Sequence, residues 1–196
     1  WKQVVAVSDS ALTKFPDEIG FIDYANAGEF NLKNYKGVIA NCEKMLRIAP
    51  RDSAVAVTAW SMMGDVYHLM NDTPKAYKAY DNVLKIAPGY APVLNNYAYY
   101  LSEEGKKLKK AYAMSKKTVE AEPDNATYLD TFGWILYLQG KALEAKPFFK
   151  HAMLYGGKDS ATILNHYAAV LEALGENDLA KVYRQQAKNK AAEGQE

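Results

Sequence analysis

Cysteine is almost missing from this chain: Cys42 is the only one in 196 residues. A lone thiol excludes an intrachain disulfide and a cysteine-rich zinc site. Histidine is nearly as scarce. His68, His151 and His166 fall in three separate helical patterns, and no pair has a metal-ligand spacing. No glycine-rich phosphate loop or nucleophile elbow is present. These absences remove the usual enzyme signatures, so the sequence predicts no catalytic residue, no cofactor and no metal. The formal net charge is +1, so the whole-molecule field favours neither nucleic acid nor an anionic membrane. No apolar run approaches the roughly 18 residues that would span a bilayer, and no basic-then-apolar segment opens the chain.

What is present is enough apolar material to fold, 49% hydrophobic against 24% charged, and a strong period. Pro16, Pro50, Pro88 and Pro123 each close a helically patterned run, with steps of 34, 38 and 35 residues. A further step of 34 reaches Gly157, another helix stopper. Pro74, Pro92 and Pro147 fall outside the series. A period near 34 residues made of two helical patterns, A and B, predicts an all-α, right-handed solenoid of helix–turn–helix repeats.

The repeats align in columns. The second runs Trp60, Met63, Gly64, Tyr67, then Ala76, Tyr80 and Val83; the fourth runs Leu129, Phe132, Gly133, Leu136, then Ala145, Phe149 and Ala152. The third has Asn95, Ala98, Tyr99 and Ser102 with Ala111, Ser115 and Thr118. The fifth has Leu164, Tyr167, Ala168 and Leu171 with Ala180, Arg184 and Ala187. The first diverges most: Ile22, Ala25, Asn26 and Glu29 with Val38, Cys42 and Met45. Small residues at Gly64, Gly133 and Ala168 let helix A approach helix B, and aromatics fill the remaining volume. Gly105, Gly140 and Gly175 stand at the A–B turn, where a positive φ favours glycine. Pro-Arg-Asp-Ser, Pro-Asp-Asn and Gly-Lys-Asp-Ser supply stops followed by N-caps.

These columns resemble the tetratricopeptide repeat family, from about residue 1 to 190. The second and fourth repeats carry the likeness best, through Trp60, Met63-Gly64, Tyr67, Ala76, Tyr80 and Pro88, and through Leu129, Phe132-Gly133, Ala145, Phe149 and Ala152. Asn26 and Tyr99 depart from the family's helix-A glycine, and Gly157 from its closing proline. The reading divides the chain into 1–16, the second helix of a truncated repeat, then repeats at 17–50, 51–88, 89–123, 124–157 and 158–191, and a frayed tail at 192–196. The last repeat ends in a polar capping helix. The leading half-repeat suggests a fragment of a longer protein. The four extra residues of the second repeat are placed in Arg51–Ala59, as an extended start of helix A.

The resemblance implies a non-catalytic scaffold whose A helices line a concave face that holds a peptide or helix of a partner. Helix-A positions 2, 5, 9 and 12 form one stripe. It holds Gly20, Asp23, Ala27 and Phe30; Thr58, Ser61, Asp65 and His68; Val93, Asn96, Tyr100 and Glu103; Thr127, Asp130, Trp134 and Tyr137; and Thr162, Asn165, Ala169 and Glu172. Five carboxylates and no Lys or Arg stand among these, where composition alone would give roughly two or three of each. Aromatics lie among the acids. The candidate partner-binding residues are therefore Asp23, Phe30, Asp65, His68, Asn96, Tyr100, Glu103, Asp130, Trp134, Tyr137, Asn165 and Glu172. The bland alternative is a solvated inner face.

The expected partner is a protein or peptide with basic and apolar side chains, not nucleic acid. The Lys/Asn clamp with which chaperone adaptors of the family grip acidic tails is absent, since Asp23, Ala27, Ser61 and Asp65 occupy the corresponding stripe. Trp134 and Tyr137, with Tyr100 on the neighbouring helix, form either an aromatic hot spot or extra packing between A helices. The basic cluster Lys106, Lys107, Lys109 and Lys110, with Lys116 and Lys117, reads as a solvated outer surface, and Cys42 as a buried, inert thiol. Two alternatives remain: an assembly module that uses its ends or convex face, including self-association through the truncated start, and a regulatory arm of a larger enzyme. The run Pro123 to Trp134 resembles bacterial members of the family, many of which work at the cell envelope. That points weakly to the periplasmic side, with the cytoplasm as the other choice.

Overall fold

The computed structural model describes residues 1–105 and 107–193. The described residues form helices joined by short connections, with no strand among them. In chain order the helices are α1 (Lys2–Lys14), α2 (Ile19–Asn31), α3 (Tyr35–Ile48), α4 (Ser53–Leu69), α5 (Thr73–Ile86), α6 (Ala91–Glu103), α7 (Leu108–Ala121), α8 (Ala126–Leu138), α9 (Ala142–Leu154), α10 (Ala161–Ala173) and α11 (Asn177–Glu193). The even-numbered helices are the A helices of the sequence pattern. They have 13 residues each except α4, which has 17 and carries its extra turn at the start. Lys106 of the basic cluster and residues 194–196 of the tail lie outside the described residues. Ala192 and Glu193, assigned by the sequence reading to a frayed tail, continue α11.

The helices start and stop for local reasons. The side chains of Asp52, Asn125 and Ser160 accept first-turn amides of α4, α8 and α10, at 2.9 Å for Asp52 to Ala54 N and 3.1 Å for Asn125 to Thr127 N. Gly105, Gly140 and Gly175 adopt φ of 64°, 78° and 77°. In the first two A–B turns the same left-handed conformation falls on Lys33 and Asn71. Asn tolerates it readily; Lys has no such preference. After α9 the positive φ falls on Gly156. Gly157 opens a 3-10 turn, and a Cβ there would stand 2.7 Å from the Ala152 carbonyl. Pro147 sits inside α9 on its exposed side, where water can satisfy the carbonyl whose bond it removes.

The chain forms two compact units, residues 1–93 and 94–196. The core of the first gathers Ile22, Val38, Cys42, Met45, Ala59, Met63, Val66 and Ala79. That of the second gathers Leu129, Phe132, Leu136, Phe149, Tyr167, Leu171 and Ala180, among others. Helix A meets helix B most closely at the small-residue column. A Cβ on Gly64 would strike the Tyr80 ring, and one on Gly133 would lie 2.7 Å from the Phe149 ring. In the first repeat the sizes are exchanged. Asn26 is fully buried, with its Nδ2 3.8 Å from Cys42 Sγ and 3.6 Å from Met45 Sδ. A small residue on α3 makes room for a larger one on α2. Burial, with smaller contributions from the Asp23 and Glu43 charges, pushes the Cys42 thiol up to about 12, so it stays protonated and inert.

Candidate partner-binding face

Within the second unit, the A-helix face of α6, α8 and α10 is organised by Asp130. Its side chain is 7% exposed, and its Oδ1 accepts from Nδ1 of His166 at 2.9 Å. With Asp130 ionised, this bond requires the proton on Nδ1. Burial pushes the Asp130 carboxyl above its ordinary range, and the nearby Glu103 charge adds to this. The His166 ring pulls the other way but does not overcome burial.

The imidazole of His166 lies flat on the Trp134 indole, with centroids 4.0 Å apart and planes at 12°. Trp134 in turn stacks on Tyr137 at 4.9 Å and donates its Nε1–H to Glu103 Oε1 at 2.8 Å. At the far end of the same face Arg184 of α11 forks onto Glu172 at 3.1 and 2.9 Å, and also bonds the Asn165 carbonyl and amide oxygens. This pairing holds the Glu172 carboxyl below its ordinary range.

Beside Asp130, at the first turns of α8 and α10, a cavity of about 660 Å³ opens. Asn95, Asn96 and Tyr99 of α6, Thr127 of α8 and Thr162 of α10 help to line it. Asp124 stands at its edge, bonded to His151 Nε2 at 2.8 Å. Among the described residues no cluster of three or more His, Cys, Asp or Glu could hold a metal ion. None of the described helices is long and apolar enough to cross a membrane.

This arrangement of paired helices is shared with known proteins. The sequence profile of the tetratricopeptide repeat matches residues 30–193. The chain belongs to the tetratricopeptide repeat family. Its fold is the all-α solenoid of that family, a protein–protein interaction scaffold that is generally non-catalytic. No curated protein sequence matches the chain. Among solved structures it is similar to PilF of Pseudomonas aeruginosa, at 18% identity and TM-score 0.72, covering 88% of this chain and 76% of that one. It is also similar to BtubC of P. vanneervenii, at 16% identity and TM-score 0.76, covering 99% and 89%. A third likeness is to the Cut9–Hcn1 tetramer of the APC/C, at 12% identity and TM-score 0.83, covering 97% of this chain but 37% of that one. At such identities the likeness establishes the fold alone.

The tetratricopeptide register places the twelve candidate residues on A helices but gives them unequal surroundings. The five acids of the stripe have different surroundings. Asp130 is buried, Glu103 receives the Trp134 indole, and Glu172 is paired with Arg184. In the first unit Asp65 accepts from the buried Tyr80 hydroxyl at 2.5 Å. Asp23 stays exposed, with partial burial pushing its carboxyl up. Phe30 and His68 are half-buried, and Phe30 lies 6.2 Å from the Tyr35 ring.

Trp134 stacks on both Tyr137 and His166; Tyr100 meets Tyr99 edge-on at 5.8 Å. Asn96 lines the cavity and Asn165 is held by Arg184. Sequence reasoning missed His166, Asn95, Tyr99 and Arg184 as members of this face. The signal for His166 lies in the register: it follows stripe position 5 on its own helix and stands one repeat beyond Asp130.

Proposed function

We propose that this chain is a scaffold that holds a segment of a partner protein on its A-helix face, with the second unit making the principal contacts. The observation that carries this is the cavity beside Asp130. Asn96, Thr127, Asp130 and Thr162, from three successive A helices, border one opening of about 660 Å³, and the Trp134–Tyr137 stack continues along the same stripe. Polar groups that fix orientation beside an aromatic anchor are what a segment-binding groove requires. Among the described residues no Lys or Arg borders the cavity, while Asp124 and Asp130 do, which favours a segment with basic and apolar side chains.

Partner capture tests this. Thr127 and Thr162 are exposed, so Thr127→Arg and Thr162→Arg obstruct the opening without disturbing the core. We expect either change to abolish capture of partners retained by the unmodified protein. Partners held equally by both variants would overturn the reading.

A second reading, self-association, rests on the first unit. Trp1, Val7, Phe15 and Tyr24 are 58–69% exposed, and Val4, Val7, Ala11, Phe21 and Tyr24 line an apolar groove of about 410 Å³ between α1 and α2. An apolar surface of this kind marks an interaction site. Val7→Glu with Tyr24→Glu should turn a concentration-dependent oligomer into a monomer in sedimentation; a parent protein that is monomeric at all concentrations removes this reading.

A further inference from the structure

We infer that the cavity beside Asp130 receives an arginine side chain of the bound segment, an inference that rests on the scaffold reading. The buried side-chain atom left unmet at the cavity is an acceptor. Asn95 is 4% exposed, and its amide oxygen has no partner. Its Nδ2 makes only a long 3.4 Å contact with Asn96 Oδ1, so the amide is free to turn toward a donor in the cavity. Asp130 has one recorded partner, His166, bonded through Oδ1, which leaves the second carboxylate oxygen for another donor.

A helix N-terminus ordinarily favours an anion, and α8 and α10 both begin here. Three of their first-turn amides are already met, since Asn125 accepts from Thr127 N and Tyr128 N and Ser160 accepts from Ile163 N. This reduces what the helix ends offer an anion, and the charged side chains that line the cavity are both acidic, Asp124 and Asp130. Asp124 at the edge adds to the field, and no cation among the described residues lines the cavity to neutralise it. Burial of the Asp130 charge is costly unless it is paired, and a guest cation supplies the missing partner.

Arginine suits these groups better than lysine does. The acceptors belong to separate side chains on two helices, α6 and α8, and a guanidinium carries five donors in a fixed plane. Tyr99 lines the same cavity, and an aromatic ring is a partner that a guanidinium favours. A lysine ammonium is a compact point charge and uses neither the spread of acceptors nor the flat ring as fully.

The test titrates the full chain with four probes: N-acetyl-arginine amide, N-acetyl-lysine amide, N-acetyl-citrulline amide and free L-arginine. Binding is read from the side-chain amide of Asn95 and the backbone amides of Thr127 and Thr162 by NMR. Citrulline keeps the shape of arginine without its charge. We expect saturable shifts with the arginine amide, and about tenfold weaker binding of the citrulline amide, the scale of a hydrogen bond to a charged group. Asp130→Asn, which keeps an acceptor for His166, should weaken the arginine probe by about the same factor. Thr162→Arg places a guanidinium at the opening and should compete with it.

Equal binding of citrulline or lysine, or no saturable shift at Asn95, would overturn the inference. Free L-arginine binding about tenfold more tightly than its blocked amide would also overturn it, by pointing to a small-molecule site. The two proposals fail separately. If capture is lost in Thr127→Arg while the arginine probe does not bind, the scaffold stands and the arginine pocket falls. If the probe binds while capture ignores Thr127→Arg, the scaffold falls.

Discussion

Asn26 and Cys42 occupy, in the first unit, the pair of positions that Gly133 and Phe149 hold in the second. In both, helix A and helix B meet with little space between them, yet the bulk comes from opposite helices. Close packing constrains the summed volume of the joint rather than either residue alone. The two joints still differ in quality. Phe149 is fully buried, meets the Gly133 backbone and stacks on Tyr167 at 5.7 Å. Asn26 buries an amide oxygen with no partner among soft sulfur atoms. Of these two joints the Gly133–Phe149 one is therefore the better, and it lies in the unit that carries the candidate face.

The largest test of this contrast is truncation. Phe149→Ala should cost about 3–5 kcal/mol in denaturant unfolding followed by Trp134 emission. Cys42→Ala, which removes one small atom group, should cost about 1 kcal/mol followed by Trp60. Equal losses would mean that the joints contribute alike. Next comes the exchange of pairs. Gly133→Asn alone overpacks the Phe149 ring and should cost about 1–3 kcal/mol, whereas in a Phe149→Cys background the same change should cost measurably less. Strict additivity in that double-mutant cycle would break the volume argument.

Two acids on the candidate face sharpen the comparison further because their signs oppose. Asp130 has a folded-state pKa above its unfolded value, so its contribution to stability is present at low pH and is lost as pH rises through the folded value. Asp130→Asn should thus gain stability over the parent at neutral pH, an advantage that shrinks in acid. Glu172, lowered by Arg184, contributes above the ordinary carboxylate range and loses that contribution as pH falls. Glu172→Gln should cost stability at neutral pH only slightly, since the pair is half-exposed and screened, with no loss in acid. The two variants should be furthest apart at neutral pH and converge in acid when unfolding midpoints are plotted against pH. Parallel curves would contradict the assignment. The smallest effect belongs to Asp23→Asn, exposed in the first unit, at about 0.5 kcal/mol or less.

Local chemistry was readable residue by residue. The glycines at 105, 140 and 175 announce the left-handed turns, Gly64 and Gly133 the close approaches, and Asp52, Asn125 and Ser160 the caps, because each expresses a demand of backbone geometry within one or two turns. Lys33 gave no such signal: its positive φ is imposed by the helices on either side rather than by its own preference.

The candidate face was only half legible. Spacing put Asp130, Trp134 and Tyr137 on one stripe, but could not foresee that His166, 36 residues on, would cover Asp130 and stack on Trp134, or that Arg184 would cross from α11 to Glu172. The amino-acid sequence by itself determined the helices, their period and the family, since these follow from short-range periodicity and steric rules. Only the tertiary structure decided which acids are buried, which are paired and which border the cavity, because charge and burial depend on neighbours that the chain brings together from a full repeat away.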